Sequence, residues 1–275
     1  MSQDSGLRTL PQSLTIGSLI AGSIVALAVL APAIAPYDPV RVDPGALLTS
    51  PGPAHWLGTD DIGRDLFSRI LHGARTSLTL ALAAVLVSSL LGSTVALASG
   101  YWGGAVDMVL MRIMDGFLAF PGLILALAMI SFLGASSLTI VLAVGIVATP
   151  GLARITRSQV LIERRRDFVQ AATVVGATDR RILLRHILPN VASLIVVQAS
   201  LNLAFAILTE ASLSFLGVGV PPPAPTWGTM LRAGYSYLET APWVAISPGA
   251  AIFLTVLGFN LLGDGLRAVL SPRGR

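Results

Sequence analysis

Residues 153–190 read ARITRSQVLIERRRDFVQAATVVGATDRRILLRHILPN. This stretch holds eight arginines and only three acidic residues, so its net charge of +5 exceeds the +4 of the whole chain. The runs on either side of it, residues 137–152 and 191–209, contain no charged side chain. A strongly basic connection between two uncharged runs is typical of a cytoplasmic loop between transmembrane helices.

Uncharged runs recur along the rest of the chain. A helix needs about 20 mostly apolar residues to cross a hydrocarbon core about 30 Å thick. The sequence therefore predicts an all-α polytopic membrane protein with about six transmembrane helices, at residues 14–35, 77–99, 116–133, 137–152, 191–209 and 244–263. The third of these spans can be extended back to Met108, and the fourth is short, with Pro150 near its end.

The first apolar run ends in Ala31-Pro-Ala-Ile-Ala35, which has the small residues of a signal-peptidase site. The apolar region of a signal peptide is about 7–15 residues long. The run is longer than that, and Arg8 is the only basic residue before it, so we interpret it as an uncleaved membrane anchor.

The composition excludes several kinds of site. The chain is 54% hydrophobic and 12% charged, and its sequence contains neither lysine nor cysteine. A Walker A phosphate loop and a Schiff-base site both need lysine, and thiolate chemistry needs cysteine. The three histidines, His55, His72 and His186, are too widely separated to form a metal-binding motif. Because the arginines lie beside apolar runs, we ascribe them to membrane orientation and expect no nucleic-acid partner.

The distribution of arginines predicts the orientation. With the N-terminus inside, thirteen arginines lie on the cytoplasmic side and five outside. We therefore expect a cytoplasmic N-terminus at 1–13, a single membrane domain at 14–275, external loops at 37–75 and 213–243, and a cytoplasmic loop at 153–190. The C-terminus is also expected to be cytoplasmic. Four arginines of the first external loop are interleaved with five aspartates, which predicts a folded segment with internal ion pairs.

Two interpretations of residues 153–190 follow from the residues alone. The arginines could simply fix the topology of a solvated loop. Alternatively, apolar residues at near-helical spacing on both sides of Gly176 indicate short amphipathic helices, and the small residues Ala171 and Ala172 would let one of them lie close to a partner.

A longer pattern favours the second interpretation. The run from Gln170 through Ala171, Ala172 and Gly176 to His186-Ile-Leu-Pro-Asn190 resembles the EAA loop of ABC-importer permeases. The resemblance implies a type I ABC-importer permease (MetI-like) fold in which this loop couples to an ATPase subunit. It departs from the family pattern at one position, where Gln170 replaces the usual glutamate. The implied coupling residues are Gln170, Ala171, Ala172, Gly176, Arg180, Arg181, His186, Pro189 and Asn190.

Further segments resemble the C-type permease subunit of the dipeptide/oligopeptide/nickel family. They include residues 55–69, Glu210-Ala-Ser-Leu-Ser-Phe-Leu-Gly217, Trp227-Gly228 and residues 260–267. The resemblance implies a non-catalytic half-pore in the bacterial inner membrane, without a cofactor of its own. The implied partners are a homologous B-type permease, two ABC ATPase subunits that bind ATP and Mg, and an extracytoplasmic substrate-binding protein. Dipeptides or oligopeptides are the implied cargo, and nickel chelates, glutathione or another small solute are the alternatives.

Two rival functions fit the residues less well. A secondary transporter would need discontinuous helices with ion sites, often in repeated halves, and an intramembrane enzyme would need paired catalytic groups within the spans. We identify neither pattern in the sequence. Of the acidic residues near the spans, Asp115 either belongs to the translocation path or pairs with Arg112 on one helical face, and we favour the pair. Glu210 either lines the translocation path or anchors the end of its helix.

Overall fold

The computed structural model describes residues 11–270, which form a bundle of helices without a β-strand. The first ten residues of the predicted N-terminus, with Arg8, and the C-terminal Arg273 and Arg275 lie outside the described residues. A π-helical turn, Leu183–Ile187, joins α7 to α8. The helices are α1 (Gln12–Ile34), α2 (Leu66–Trp102), α3 (Gly104–Leu118), α4 (Gly122–Leu133), α5 (Ser137–Arg164), α6 (Asp167–Val174), α7 (Asp179–Ile182), α8 (Leu188–Phe215), α9 (Trp227–Tyr235) and α10 (Trp243–Leu270).

Five helical stretches are long and apolar enough to cross a membrane: α1, α2, α5, α10 and the continuous stretch Asp179–Phe215 that contains α8. The pair α3 and α4 makes a sixth span if the two helices are taken together. The prediction of an all-α membrane fold with about six spans is therefore confirmed.

The third span differs from its prediction as one helix over residues 116–133. The chain breaks at residues 119–121, and α3 and α4 meet there at an angle of 89°. Pro121 explains the break, because proline disfavours a helical conformation at Phe120 and has no N–H to donate. The expected straight span is therefore two short helices.

Two helices are also longer than the spans predicted for them. Helix α5 continues past the expected end at residue 152 as far as Arg164. Helix α2 begins at Leu66, where the Asp65 carboxylate accepts a hydrogen bond from the Ser68 N–H at 2.8 Å, so residues 66–75 are already helical. Charged residues ended the apolar runs in the sequence, but the helices continue beyond those charges.

Helices α2 and α5 form the centre of the bundle and run parallel to each other. Glycines on α2 allow their close approach, since a Cβ on Gly100 would lie 2.7 Å from Val160 and one on Gly92 would lie 2.6 Å from Leu152. Both helices end beside residues 165–187, which we call the loop end of the bundle. The opposite end holds the first turns of α2, the last turn of α8, and α9.

The segment between α1 and α2 is folded at the opposite end. The buried Asp60 carboxylate lies 2.7 Å from the Arg64 Nε and 3.4 Å from the Arg69 Nε. His55 Nδ1 lies 2.9 Å from the Asp65 carboxylate. The predicted internal ion pairing of this segment is confirmed.

Candidate functional site

Helix α6 is the projecting element at the loop end. It follows α5 after a break at Arg165 and Arg166, and Asp167 in its first turn suits the positive end of the helix dipole. Its Val169 is buried in a small apolar cluster that fixes the helix to the ends of α5 and α8. The other buried members of that cluster are Val160, Ile182, Ile187 and Val191.

The tip of α6 is apolar and exposed. Val174 is 86% exposed, and Val175 beside it is almost as open. An apolar tip on an otherwise arginine-rich surface is a feature of protein–protein contact sites. The helix therefore has one face that holds it to its own chain and a tip available to another molecule.

Gly176 ends α6 in a Schellman motif. The Ala177 N–H donates to the Ala172 carbonyl and the Gly176 N–H to the Thr173 carbonyl, both at 3.0 Å. Gly176 has a φ of +79°, a conformation that favours glycine, and the space around it is open. The short helices expected on either side of Gly176 are present as α6 and α7.

Gln170 makes a bond that a glutamate could not make. Its Nε2 donates to the Arg165 carbonyl at 3.0 Å, which ties the first turns of α6 to the end of α5. A carboxylate at this position has no hydrogen to donate and would face the carbonyl oxygen. The departure from the family pattern therefore has a local structural consequence.

The end of α2 lies beside the same loop. The Tyr101 hydroxyl donates to the Asp179 carboxylate at 2.7 Å, and the Arg164 guanidinium lies 5.8 Å from the centre of the Tyr101 ring. A groove of about 490 Å³ opens between α2, α5, α6 and α7. Its lining residues are Tyr101, Trp102, Arg164, Val169, Gln170, Thr173, Val174 and Asp179.

The remaining residues of the predicted coupling set lie between α7 and the start of α8. Arg180 and Arg181 are exposed on α7. His186 lies in the π-helical turn with its ring 6.4 Å from that of Phe168, and its carbonyl accepts from the Asn190 side chain at 2.6 Å. Pro189 stands in the first turn of α8, where its missing N–H is not needed. The structure thus gathers the whole predicted set at one end of the molecule.

Sequence reasoning missed Glu163 at the base of this loop. Its side chain is buried, accepts from the Gln159 amide at 3.0 Å, and lies 3.1 Å from the Arg166 Nε. The sequence did contain a signal for this cluster, because Glu163 follows Gln159 by four residues and precedes Arg166 by three, spacings that place side chains on one helical face.

Asp115 does not pair with Arg112 as expected. Its carboxylate binds Arg154 of α5, and the nearby Asp107 binds Arg157 through both of its oxygens. The expected partner was chosen for its spacing along one helix, whereas the break at residues 119–121 lets α3 lie against α5. Two ion pairs therefore join α3 to α5 near the loop end.

Glu210 lies far from this loop, in the last turns of α8. Its side chain is 1% exposed and faces a narrow space lined by α2 and α5 residues, among them Ala81 and Val144. Within residues 11–270, no group of three or more histidine, cysteine or acidic side chains is placed to hold a metal ion.

The chain is similar to several known proteins. The model of the family described as "Binding-protein-dependent transport system inner membrane component" matches residues 88–275. A glutathione transport system permease protein of Pectobacterium atrosepticum is 46% identical over 251 residues, which are 91% of this chain and 83% of that protein.

Two further comparisons agree with these. A dipeptide transport system permease protein of Alkalihalophilus pseudofirmus is 42% identical, over 94% of this chain and 85% of that protein. Among solved structures, a chain of an inward-facing MetNI methionine ABC transporter has a TM-score of 0.59 and 19% identity, covering 74% of this chain and 96% of that one. The structural likeness confirms the expected fold.

Proposed function

The chain belongs to the family of inner membrane components of binding-protein-dependent transport systems, and on this premise we propose that it forms half of the translocation pore of an ATP-driven importer. A homologous B-type permease would supply the other half. The family is one of transport permeases, and we infer that this chain is a non-catalytic subunit. ATP and Mg would be bound by two partner ATPase chains.

The main structural support for this proposal is the arrangement of buried and exposed residues on α6. Its buried face holds it to α5 and α8, whereas Val174 and Val175 at its tip are exposed beside a groove and several arginines. We propose that an ATPase subunit receives this tip, and that closure of two ATPases moves α5 and α8 together. The arginines would steer the loop onto an acidic surface of that subunit.

We propose that the loop end is cytoplasmic, as are both termini, and that the protein lies in the bacterial inner membrane. The excess of arginine on the loop side supports this orientation. The opposite end would then face an extracytoplasmic substrate-binding protein, as the description of the family suggests.

We propose a small peptide as the cargo, in the size range of a dipeptide, a tripeptide or glutathione. The support comes from relatives at 42–46% identity whose names refer to glutathione, dipeptide and di/tripeptide transport. Nickel chelates or another small solute remain the alternative, because a separate binding protein would set much of the selectivity.

The test is reconstitution of the assembled complex in lipid vesicles. Its ATPase activity should rise when a binding protein loaded with glutathione, a dipeptide or a tripeptide is added, and a nickel chelate serves as the competing cargo. A chain that retained no ATPase subunit on purification and moved solute down an ion gradient by itself would contradict the proposal and favour a secondary transporter.

A further inference from the structure

The Glu210 carboxyl lies in a buried polar cluster at the end of the bundle opposite the loop. The Ser214 hydroxyl donates to Glu210 Oε1 at 2.7 Å, and the Ser77 and Thr226 hydroxyls lie beside the same carboxyl. Within the described part of the chain, no group donates a hydrogen bond to Oε2. We call Ser77, Glu210, Ser214 and Thr226 the outer cluster.

The outer cluster joins three separate parts of the chain. Ser77 belongs to α2, Glu210 and Ser214 belong to α8, and Thr226 caps the start of α9. All four side chains are buried. A buried polar group is costly without polar neighbours, and the Ser77 and Thr226 hydroxyls are neighbours of Glu210 only while α2 and the start of α9 lie against α8.

Trp227 fixes α9 to α2 directly beside this cluster. Its indole N–H donates to the Ile70 carbonyl at 3.1 Å, and its backbone N–H donates to the Ser77 hydroxyl at 3.4 Å. Gly228 allows α9 to touch α8, because a Cβ there would lie 2.6 Å from the Ala211 carbonyl oxygen. The start of α9 therefore has little freedom to move independently of α2 and α8.

Helix α8 connects this cluster to the loop end. Between Asn190 and Glu210 it is one uninterrupted helix, which at 1.5 Å per residue spans about 30 Å. A displacement of its first turn, beside α6 and α7, would therefore be transmitted through the continuous helix to Glu210.

We infer that Glu210 is a positioning residue that fastens the segment 216–235 to α8 and α2, so that the binding-protein side of the pore follows the ATPase side. The inference rests on the proposed function, in which those two sides are the opposite end and the loop end. Glu210 then governs the stimulation of ATP hydrolysis by the binding protein, and it is not needed for hydrolysis itself.

The experiment compares Glu210→Ala, Glu210→Gln and Ser212→Ala in the complete complex in lipid vesicles. Ser212 is a matched control, because its hydroxyl binds only the Leu208 carbonyl of its own helix among the described residues. Glu210→Ala should reduce the stimulation by loaded binding protein at least about fivefold, the lower end of the usual coupling between sites. Its basal ATPase activity and its retention of ATPase chains should stay at the wild-type level.

Glu210→Gln should recover most of the stimulation, because its amide oxygen can accept from Ser214, and Ser212→Ala should equal the wild type. Wild-type stimulation in Glu210→Ala would overturn the inference, as would an equal loss of basal and stimulated activity. If Glu210→Ala fails to assemble, Ser77→Ala replaces it, because Ser77 is the α2 member of the cluster and accepts from the Trp227 N–H of α9. Unchanged stimulation in that variant overturns the inference. A wild-type complex that the loaded binding protein does not stimulate would instead contradict the proposed function.

Discussion

The two ends of α8 are built in opposite ways. At its start, α6 and α7 carry exposed arginines and an apolar tip, with Val174 86% exposed. Near its C-terminal end, Glu210, Thr226 and Trp227 are almost completely buried and bind groups of their own chain. The first end leaves its binding capacity free for another molecule, whereas the second uses that capacity internally.

This difference separates two roles that a pore subunit needs. A surface that receives force from an ATPase has to be accessible, and the part that transmits the force has to be rigid. The loop end meets the first requirement and the outer cluster meets the second. Variants at the two ends should therefore fail in different ways.

The largest expected effect on stability is that of Trp227→Ala. Trp227 is 2% exposed and bonded to α2, so its removal should lower the free energy of unfolding by about 3–5 kcal/mol. Thermal denaturation of the purified complex measures this loss. Trp56→Ala is the matched control, because Trp56 is 63% exposed. Equal stability of the two variants would contradict the tight attachment of α9 to α2 that this end is proposed to have.

A smaller effect is expected from Gln170→Glu at the accessible end. The substitution replaces the amide donor to the Arg165 carbonyl with a carboxylate. Loss of one such bond is worth about 1 kcal/mol, so amide hydrogen exchange in α6 should become about fivefold faster. Gln170→Ala, which loses the same bond without adding a charge, should accelerate exchange to a similar extent. Wild-type exchange rates in Gln170→Glu would show that the amide bond does not hold α6.

The sequence predicted the features that depend on local pattern. The apolar runs located the spans, and Gly176 between two short apolar repeats marked the end of α6. The break of the third span was also readable, because Phe120 precedes Pro121 and residues before proline avoid the helical region. Giving that proline more weight than the uncharged run would have predicted two helices.

The features that the sequence could not predict depend on contacts between distant segments. Asp115 binds Arg154 rather than Arg112, because α3 folds back against α5. The outer cluster likewise combines Ser77, Glu210 and Thr226 from three helices. Their approach is set by tertiary packing, so spacing along the chain contained no signal for it.

The smallest expected effects concern the two ion pairs between α3 and α5. Arg154 and Asp115 are 53% and 43% exposed, whereas Arg157 and Asp107 are 27% and 20% exposed and paired through two bonds. Asp115→Asn should therefore cost below about 0.5 kcal/mol and Asp107→Asn about 1 kcal/mol. Thermal denaturation at low and high salt measures both, and added salt should abolish the Asp115→Asn difference first. A larger loss from Asp115→Asn would contradict this ranking.

Coupling of ATP hydrolysis to transport through the tip of α6 is tested by Gly176→Trp. Gly134→Trp is the matched control, because Gly134 also has a positive φ, +89°, and open surroundings, but it follows α4 at the opposite end. Both variants should insert in the membrane with similar local strain. In vesicles containing the complete complex, substrate-driven ATPase activity and uptake should be lost in Gly176→Trp and retained in Gly134→Trp. Wild-type activity and uptake in Gly176→Trp would contradict the coupling role of the loop.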